Sequence, residues 1–449
     1  MRIHRHVRAL NVACGLILLG LGAAYDIEIR RGHVSVLGFV PGLLVLGATL
    51  LPVGRLLQVQ IVYLSGLFAL AGAELAMELV MPPWARYKLD PIVLHAPIPG
   101  NVRTFHPDPA CEHDPVPTRF NADGFRGGAL QRDRPALRLI VYGDSYIEAA
   151  RTPWECTFPK RLESELGKLQ YDVEALNAGV NSYGPDQMFR RMEIEVDRFK
   201  PDAVVVAIYA GNDYGDLMRN KLFRLDEQGR ATPNSYVFAD HLQVTDRQRR
   251  SPRSYHLLRD AWRAVKHGLA EQPSPVRCVE EVDPQVQFEQ YENYVVRGNN
   301  VVDRLVNDVR DTDIALEPAT PSAQYKMKLL GAVFEQMRRL MSERGVPLLA
   351  VVVPDAIDLG ARDHCGCRAD YDQYPDYDPA RLSGAAAKLA RNAGIPAIDL
   401  FESFSQANSR DLYLPECIDN HWNARGQMLA AQLTAQRLVE MNWTSREGR

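Results

Sequence analysis

From residue 137 onward, apolar runs rich in β-branched residues alternate with amphipathic segments of helical period, and no other feature limits the fold as tightly. The spacing predicts strands over 137–142, 172–176, 203–209, 347–353 and 396–400. Helices are predicted over 158–169, 186–199, 323–344, 379–392 and 424–440. Strand-helix alternation of this kind builds a parallel sheet covered by helices on both faces, so the expected fold is α/β and doubly wound over 137–449. The alternation fails once, between 214 and 322. A structureless loop of that length is uncommon, so an inserted helical cap is expected there, with helices near 255–269 and 295–309.

A second division lies upstream. Stretches 9–25, 34–51 and 56–81 are strongly apolar; none holds Lys or Arg, and in each the length is near the roughly 20 residues that cross a bilayer. Three transmembrane helices over 1–81 are therefore expected. The basic start, apolar middle and small-residue end of 1–24 also fit a secretory signal, but a cleaved signal would not require two further apolar runs. Arg2, Arg5, Arg8 and Arg55 would fall on one side, and Arg30, Arg31, Arg86 and Lys88 on the other. The charge balance is even, and the basic leading end decides: the N-terminus is inside, and everything after Met81 lies on the extracytoplasmic side of the cytoplasmic membrane. Six of the seven cysteines fall there (Cys111, Cys156, Cys278, Cys365, Cys367 and Cys417), an even set compatible with disulfides in an oxidising compartment. Residues 82–136 show no sustained period and are read as a linker and flap.

The net charge of -4, with no long basic block, gives no electrostatic support for a nucleic-acid partner. Chemistry instead gathers where the strands end. The first strand runs into Gly143-Asp144-Ser145, the second into Asn177-Ala178-Gly179, and the third into Gly211-Asn212-Asp213; Asp419-Asn420-His421-Trp422-Asn423 precedes the last helix. Open parallel sheets collect ligands at this edge. A serine hydroxyl needs a base within hydrogen-bond reach and a third group to hold that base, and His421 and Asp419 supply both types. Two residues apart on an extended segment, their side chains point to one side.

In order and residue type these four signals resemble the SGNH (GDSL) hydrolase superfamily over about 137–440. The resemblance implies a flavodoxin-like three-layer α/β/α domain in which Ser145 is the nucleophile, His421 the general base and Asp419 its partner. It further implies an oxyanion hole from the Ser145 N–H, Gly179 and Asn212. The superfamily more usually sets the aspartate three residues before the histidine, and position 418 is Ile. Asp-x-His-Trp-Asn is instead similar to the variant in bacterial alginate O-acetylation proteins, which keeps the triad but blurs hydrolysis against acyl transfer. Glu416 and Asp399 stand in reserve for orienting His421.

Each signal has a plainer reading. Ser145 fits a helix N-cap, Asn212 a turn, and Gly179 any glycine turn. Asp144 and Asp213 read as turn stabilisers, and Asn121–Gly128 (NADGFRGG) as a flap or a plain turn. Asp370, Asp372, Asp376 and Asp378 lack the pattern of a calcium loop, and His106, Asp108, Cys111 and His113 lack a metal-ligand spacing. No metal or other cofactor is expected. The expected function is a serine esterase acting on a small ester or an O-acylated glycan or lipid. The alternatives are an O-acyltransferase acting on an envelope or secreted polysaccharide, which would need a partner membrane protein, and a non-catalytic binding module.

Overall fold

The computed structural model describes residues 51–80, 87–105, 116–131, 135–234, 284–297, 310–361, 372–415 and 419–443, with isolated positions elsewhere. The chain divides into two units, one formed by Met1–Trp84 with Arg247–Leu269, the other by Ala85–Asp246 with Ala270–Arg449.

In the first unit the third apolar stretch is one helix, Val53–Val80. Gln60 of this helix donates through Nε2 to Asn11 Oδ1 at 3.2 Å. Among the described residues no helix is long and apolar enough to cross a membrane. Arg55, Gln58, Gln60, Glu74 and Glu78 interrupt the apolar character of Val53–Val80. The other two expected spans lie almost wholly outside the described residues.

The second unit opens with two short antiparallel hairpins, β1 (Tyr87–Asp90) with β2 (Leu94–Pro97), and β3 (Val102–Phe105) with β4 (Val116–Arg119). They replace the irregular linker expected over 82–136. At four residues per strand, the two-residue period is too short to stand out among the prolines and aspartates.

The central sheet follows. Its strands are β5 (Leu137–Gly143), β6 (Val173–Gly179), β7 (Ala203–Tyr209), β10 (Leu348–Val353) and β11 (Ala397–Asp399), all parallel and ordered β6-β5-β7-β10-β11. Successive strand residues face opposite ways, and each face has its own core. Ile140, Tyr142, Val204, Val206, Ala350 and Val352 pack with Met188, Leu330, Phe334 and Leu382, from helices Pro185–Phe199, Pro321–Glu343 and Arg381–Asn392. Leu139, Val141, Val205, Ala207, Leu349 and Val351 pack with Phe158, Leu162, Ala431 and Leu438, from helices Phe158–Lys168 and Ala424–Glu440. At about 1.5–3 kcal/mol for each large side chain removed from water, this double core is what holds the site's framework. The strand order reverses between β5 and β7, which opens a crevice at their carboxyl ends.

Only the rims of the inserted region are described. Helix Asp213–Asn220 carries on past β7, and a small hairpin, β8 (Phe223–Leu225) with β9 (Ala231–Pro233), follows it. The return contains helix Pro284–Tyr291 and a π turn at Glu292–Val296. The helix expected over 255–269 and most of that over 295–309 lie outside the described residues. Buried Lys326 holds the return in place, donating to Asp311 at 2.8 Å, Asp313 at 2.5 Å and Gln287 at 3.0 Å.

Candidate active site

Strand β5 ends in a sharp turn into the short helix Ser145–Glu148. Asp144 caps it, accepting the Tyr146 N–H at 2.9 Å, and Ala149 closes it in the left-handed region at φ 47°. Neighbouring segments hold the turn in place. Asn177 Nδ2 donates to the Ile147 carbonyl at 2.8 Å. From the NADGFRGG segment, buried Arg126 donates to the carbonyls of Glu148, Ala149 (2.7 Å) and Thr152 (2.6 Å). That segment is therefore built into the underside of the turn. Phe125 is buried, and Asn121 accepts from the backbone N–H groups of Asp123 and Phe125, both at 3.0 Å.

Ser145 Oγ lies 2.7 Å from His421 Nε2, and His421 Nδ1 lies 2.7 Å from Asp419 Oδ1, which also accepts the His421 backbone N–H at 3.0 Å. With the imidazole proton on Nδ1 toward the carboxylate, Nε2 is left to accept the serine hydroxyl proton. The second Asp419 oxygen accepts from Arg151 at 2.9 Å. Burial works to raise the Asp419 carboxyl, but the hydrogen bonds and charge of His421, together with Arg151, hold it well below the usual carboxylate range. The tyrosine that follows the serine completes the support. Its ring stacks on Tyr209 at 4.1 Å and lies 4.8 Å from the imidazole, its hydroxyl donates to the Asn420 carbonyl at 2.6 Å, and its carbonyl accepts from the Trp422 indole at 2.9 Å.

These residues open on a cavity of about 240 Å³ lined by Ser145, Tyr146, Asn212, Arg310, Asp419 and His421, among others. Asn212 is buried at the entry to helix Asp213–Asn220, and its Oδ1 has no hydrogen-bond partner. Gly179 departs from expectation. It does not line the cavity, and its N–H donates to Asn177 Oδ1 at 2.9 Å. Its lack of a side chain serves packing instead, because a Cβ there would lie 2.2 Å from the Glu148 nitrogen, inside the turn helix. Asp399 is elsewhere, accepting the Phe401 N–H at 3.0 Å, and Glu416 lies outside the described residues. Asp213 accepts the Tyr209 N–H at 2.8 Å, and burial, with Asp144 nearby, raises its carboxyl well above the usual range.

Of the candidates His106, Asp108, Cys111 and His113, the two histidines lie outside the described residues. Asp108 is buried and accepts the Ala424 N–H at 2.6 Å, at the start of the last helix, while Cys111 is bonded to Cys156. The remaining four cysteines after Met81 lie outside the described residues. Arg126, Arg151 and Arg310 were not anticipated at the site. Single arginines in loops carry no spacing signal, and only Arg126 sat in a segment already noted.

Residues 317–448, which include Asp419 and His421, match a family profile described as an SGNH hydrolase-like domain, acetyltransferase AlgX. No curated protein sequence matches the chain. Among solved structures, a lipase/acylhydrolase from Enterococcus faecalis is 12% identical, covers 68% of this chain and 96% of its own, and has a TM-score of 0.33. The acetyl xylan esterase AlAXEase is 14% identical over 67% of this chain and 100% of its own, also at 0.33. TesA is 12% identical over 67% and 97%, at 0.32.

Proposed function

For a chain that carries an SGNH hydrolase-like domain, we propose serine esterase chemistry centred on Ser145. The observation behind this reading is the unbroken hydrogen-bonded line from Ser145 Oγ through His421 to Asp419, facing one cavity. Ser145 Oγ attacks the ester carbonyl as His421 Nε2 takes its proton. A C–O bond to serine forms, the bond to the alcohol breaks, and His421 returns the proton to the departing alkoxide. Water, activated in the same way, then releases the carboxylic acid and restores the serine. Asp419 fixes the imidazole and stabilises its cation. The Ser145 N–H and the Asn212 amide serve the oxyanion, and each such donor is worth about a hundredfold or more in turnover.

O-acyl transfer is the second reading, favoured by the acetyltransferase profile over 317–448. It uses the same acyl-serine but passes the acyl group to a glycan hydroxyl. Attachment to the outer face of the cytoplasmic membrane belongs to the same proposal. The exposed apolar side chains Ile61, Val62, Phe68 and Leu79 on Val53–Val80 support it, as does the Cys111–Cys156 disulfide.

The test is acetate release from 4-nitrophenyl acetate by the full chain in detergent, with labelling by a serine-directed fluorophosphonate. Both should vanish in Ser145→Ala. An unlabelled wild-type protein with no turnover refutes the esterase and transferase readings together. Acetyl transfer to an added glycan in preference to water would select the second.

A further inference from the structure

Arg310 is placed in the candidate site by the return of the insertion. The backbone beside it is pinned to the loop that bears Asn212, with the Asp311 N–H donating to the Gly211 carbonyl at 2.7 Å and the Gly215 N–H to Asp311 Oδ2 at 2.8 Å. The Arg310 side chain is 5% exposed and lines the same cavity as Ser145 and His421. Its Nη2 is satisfied by Asp358 and by the Tyr377 hydroxyl at 2.7 Å. Nε faces Asp355 Oδ2 at 3.2 Å without hydrogen-bond geometry, and Nη1 has no partner. Asp355 is itself fixed, accepting from the Tyr209 hydroxyl at 2.6 Å and the Ile357 N–H at 2.7 Å. The wall is closed around Gly211, where a Cβ would lie 2.4 Å from the Tyr209 hydroxyl and 2.6 Å from Asp355 Oδ2.

A buried guanidinium donor left unmatched is costly, so an unmatched one on a residue that lines a cavity points to an oxygen supplied by the ligand. The charge balance restricts what that oxygen can be. One guanidinium already faces two carboxylates, Asp355 and Asp358. An incoming carboxylate or phosphate would be the third anion against one cation, whereas a hydroxyl or ether oxygen accepts the N–H without that repulsion. Asn212 lines the same cavity, and its Oδ1, also buried and unmatched, is the complementary acceptor for a hydroxyl proton.

We propose that Arg310 Nη1 and Asn212 Oδ1 form the subsite for the alcohol portion of the ester, and that this portion is an uncharged, hydroxyl-bearing sugar. The inference rests on the serine chemistry above and adds to it a residue that sets specificity.

Matched 3-O-acetyl esters of methyl glucopyranoside and methyl glucopyranosiduronate differ by one carboxylate and test it in two ways. Calorimetric binding of each to Ser145→Ala decides the subsite without any turnover. The neutral ester should bind at least about tenfold more tightly, and that preference should be lost in Ser145→Ala/Arg310→Gln. In the wild-type protein the neutral ester should have the higher kcat/KM. Arg310→Lys, which keeps a cation for Asp355 and Asp358, should lower it by about ten- to a hundredfold more than it lowers turnover of 4-nitrophenyl acetate, which has no hydroxyl. Equal or tighter binding of the uronate, or an equal loss on both substrates, overturns the subsite. Wild-type protein that binds the neutral ester selectively but turns over neither ester leaves the subsite standing and refutes the esterase reading.

Discussion

Replacing Arg126 by methionine removes a cation that does not line the cavity at Ser145, yet it should weaken the fold more than most single changes. The guanidinium is buried and donates to three carbonyls at the end of the nucleophile turn, those of Glu148, Ala149 and Thr152. Methionine fills similar space but removes the donor to the Glu148 and Thr152 carbonyls, while the Ala149 carbonyl keeps the Thr152 N–H at 2.9 Å. A buried group that loses its partner costs about 1–3 kcal/mol, so two give roughly 2–6 kcal/mol, with the lower half expected as water re-enters. Against a domain stability of about 5–15 kcal/mol, that is a large share of the margin. Urea denaturation followed by tryptophan fluorescence measures it, and Arg126→Lys, which keeps one charged donor head, should fall between. In whatever folded fraction remains, kcat for 4-nitrophenyl acetate should fall with KM little changed, because the turn that aims Ser145 has lost its clamp. An Arg126→Met protein within 1 kcal/mol of wild type, with unchanged kcat, would refute the claim that this arginine holds the turn.

Other consequences can be measured separately. Asp419→Asn should lower kcat by about three to four orders of magnitude by disturbing the imidazole tautomer, and a loss under tenfold would place its orientation elsewhere. Lys326→Met leaves Asp311 and Asp313 buried without their cation and should cost about 3–5 kcal/mol in urea unfolding; a neutral result would show that the return of the insertion is held by packing alone. Asp186 is pushed up to about 7 by burial, from 3.8, so the folded protein keeps a proton there that the unfolded chain loses. Stability should therefore fall as pH rises from about 4 to about 7, by at most about 4 kcal/mol from this group, and Asp186→Asn should flatten that slope in denaturation curves taken at several pH values.

The sheet could be read from the sequence because both of its faces are buried. The run in β7 is apolar at every position and that in β5 at all but Arg138, and their covering helices show a clean helical period. The Ser145, His421 and Asp419 placements followed from the same logic, since residues at strand ends share one edge. What escaped was set by long-range contact alone. The hairpins are too short for a period to register, and Arg151 and Arg310 are single residues whose partners lie hundreds or tens of positions away. Gly179, expected at the oxyanion hole, does not line the cavity. The constraint there is the space beside the Glu148 nitrogen, while the N–H is already used by Asn177.

The Asp311 N–H to Gly211 carbonyl bond places the return of the long insertion against the end of β7, one residue before Asn212. A segment whose two ends are tied to the same loop can change in length at a cost that grows only with the logarithm of that length. It can therefore be exchanged as a cassette without disturbing the parallel sheet. Such an exchange would replace Arg310 and its neighbours while leaving Ser145, His421 and Asp419 untouched, so that substrate preference and bond-breaking chemistry are free to diverge independently in this architecture.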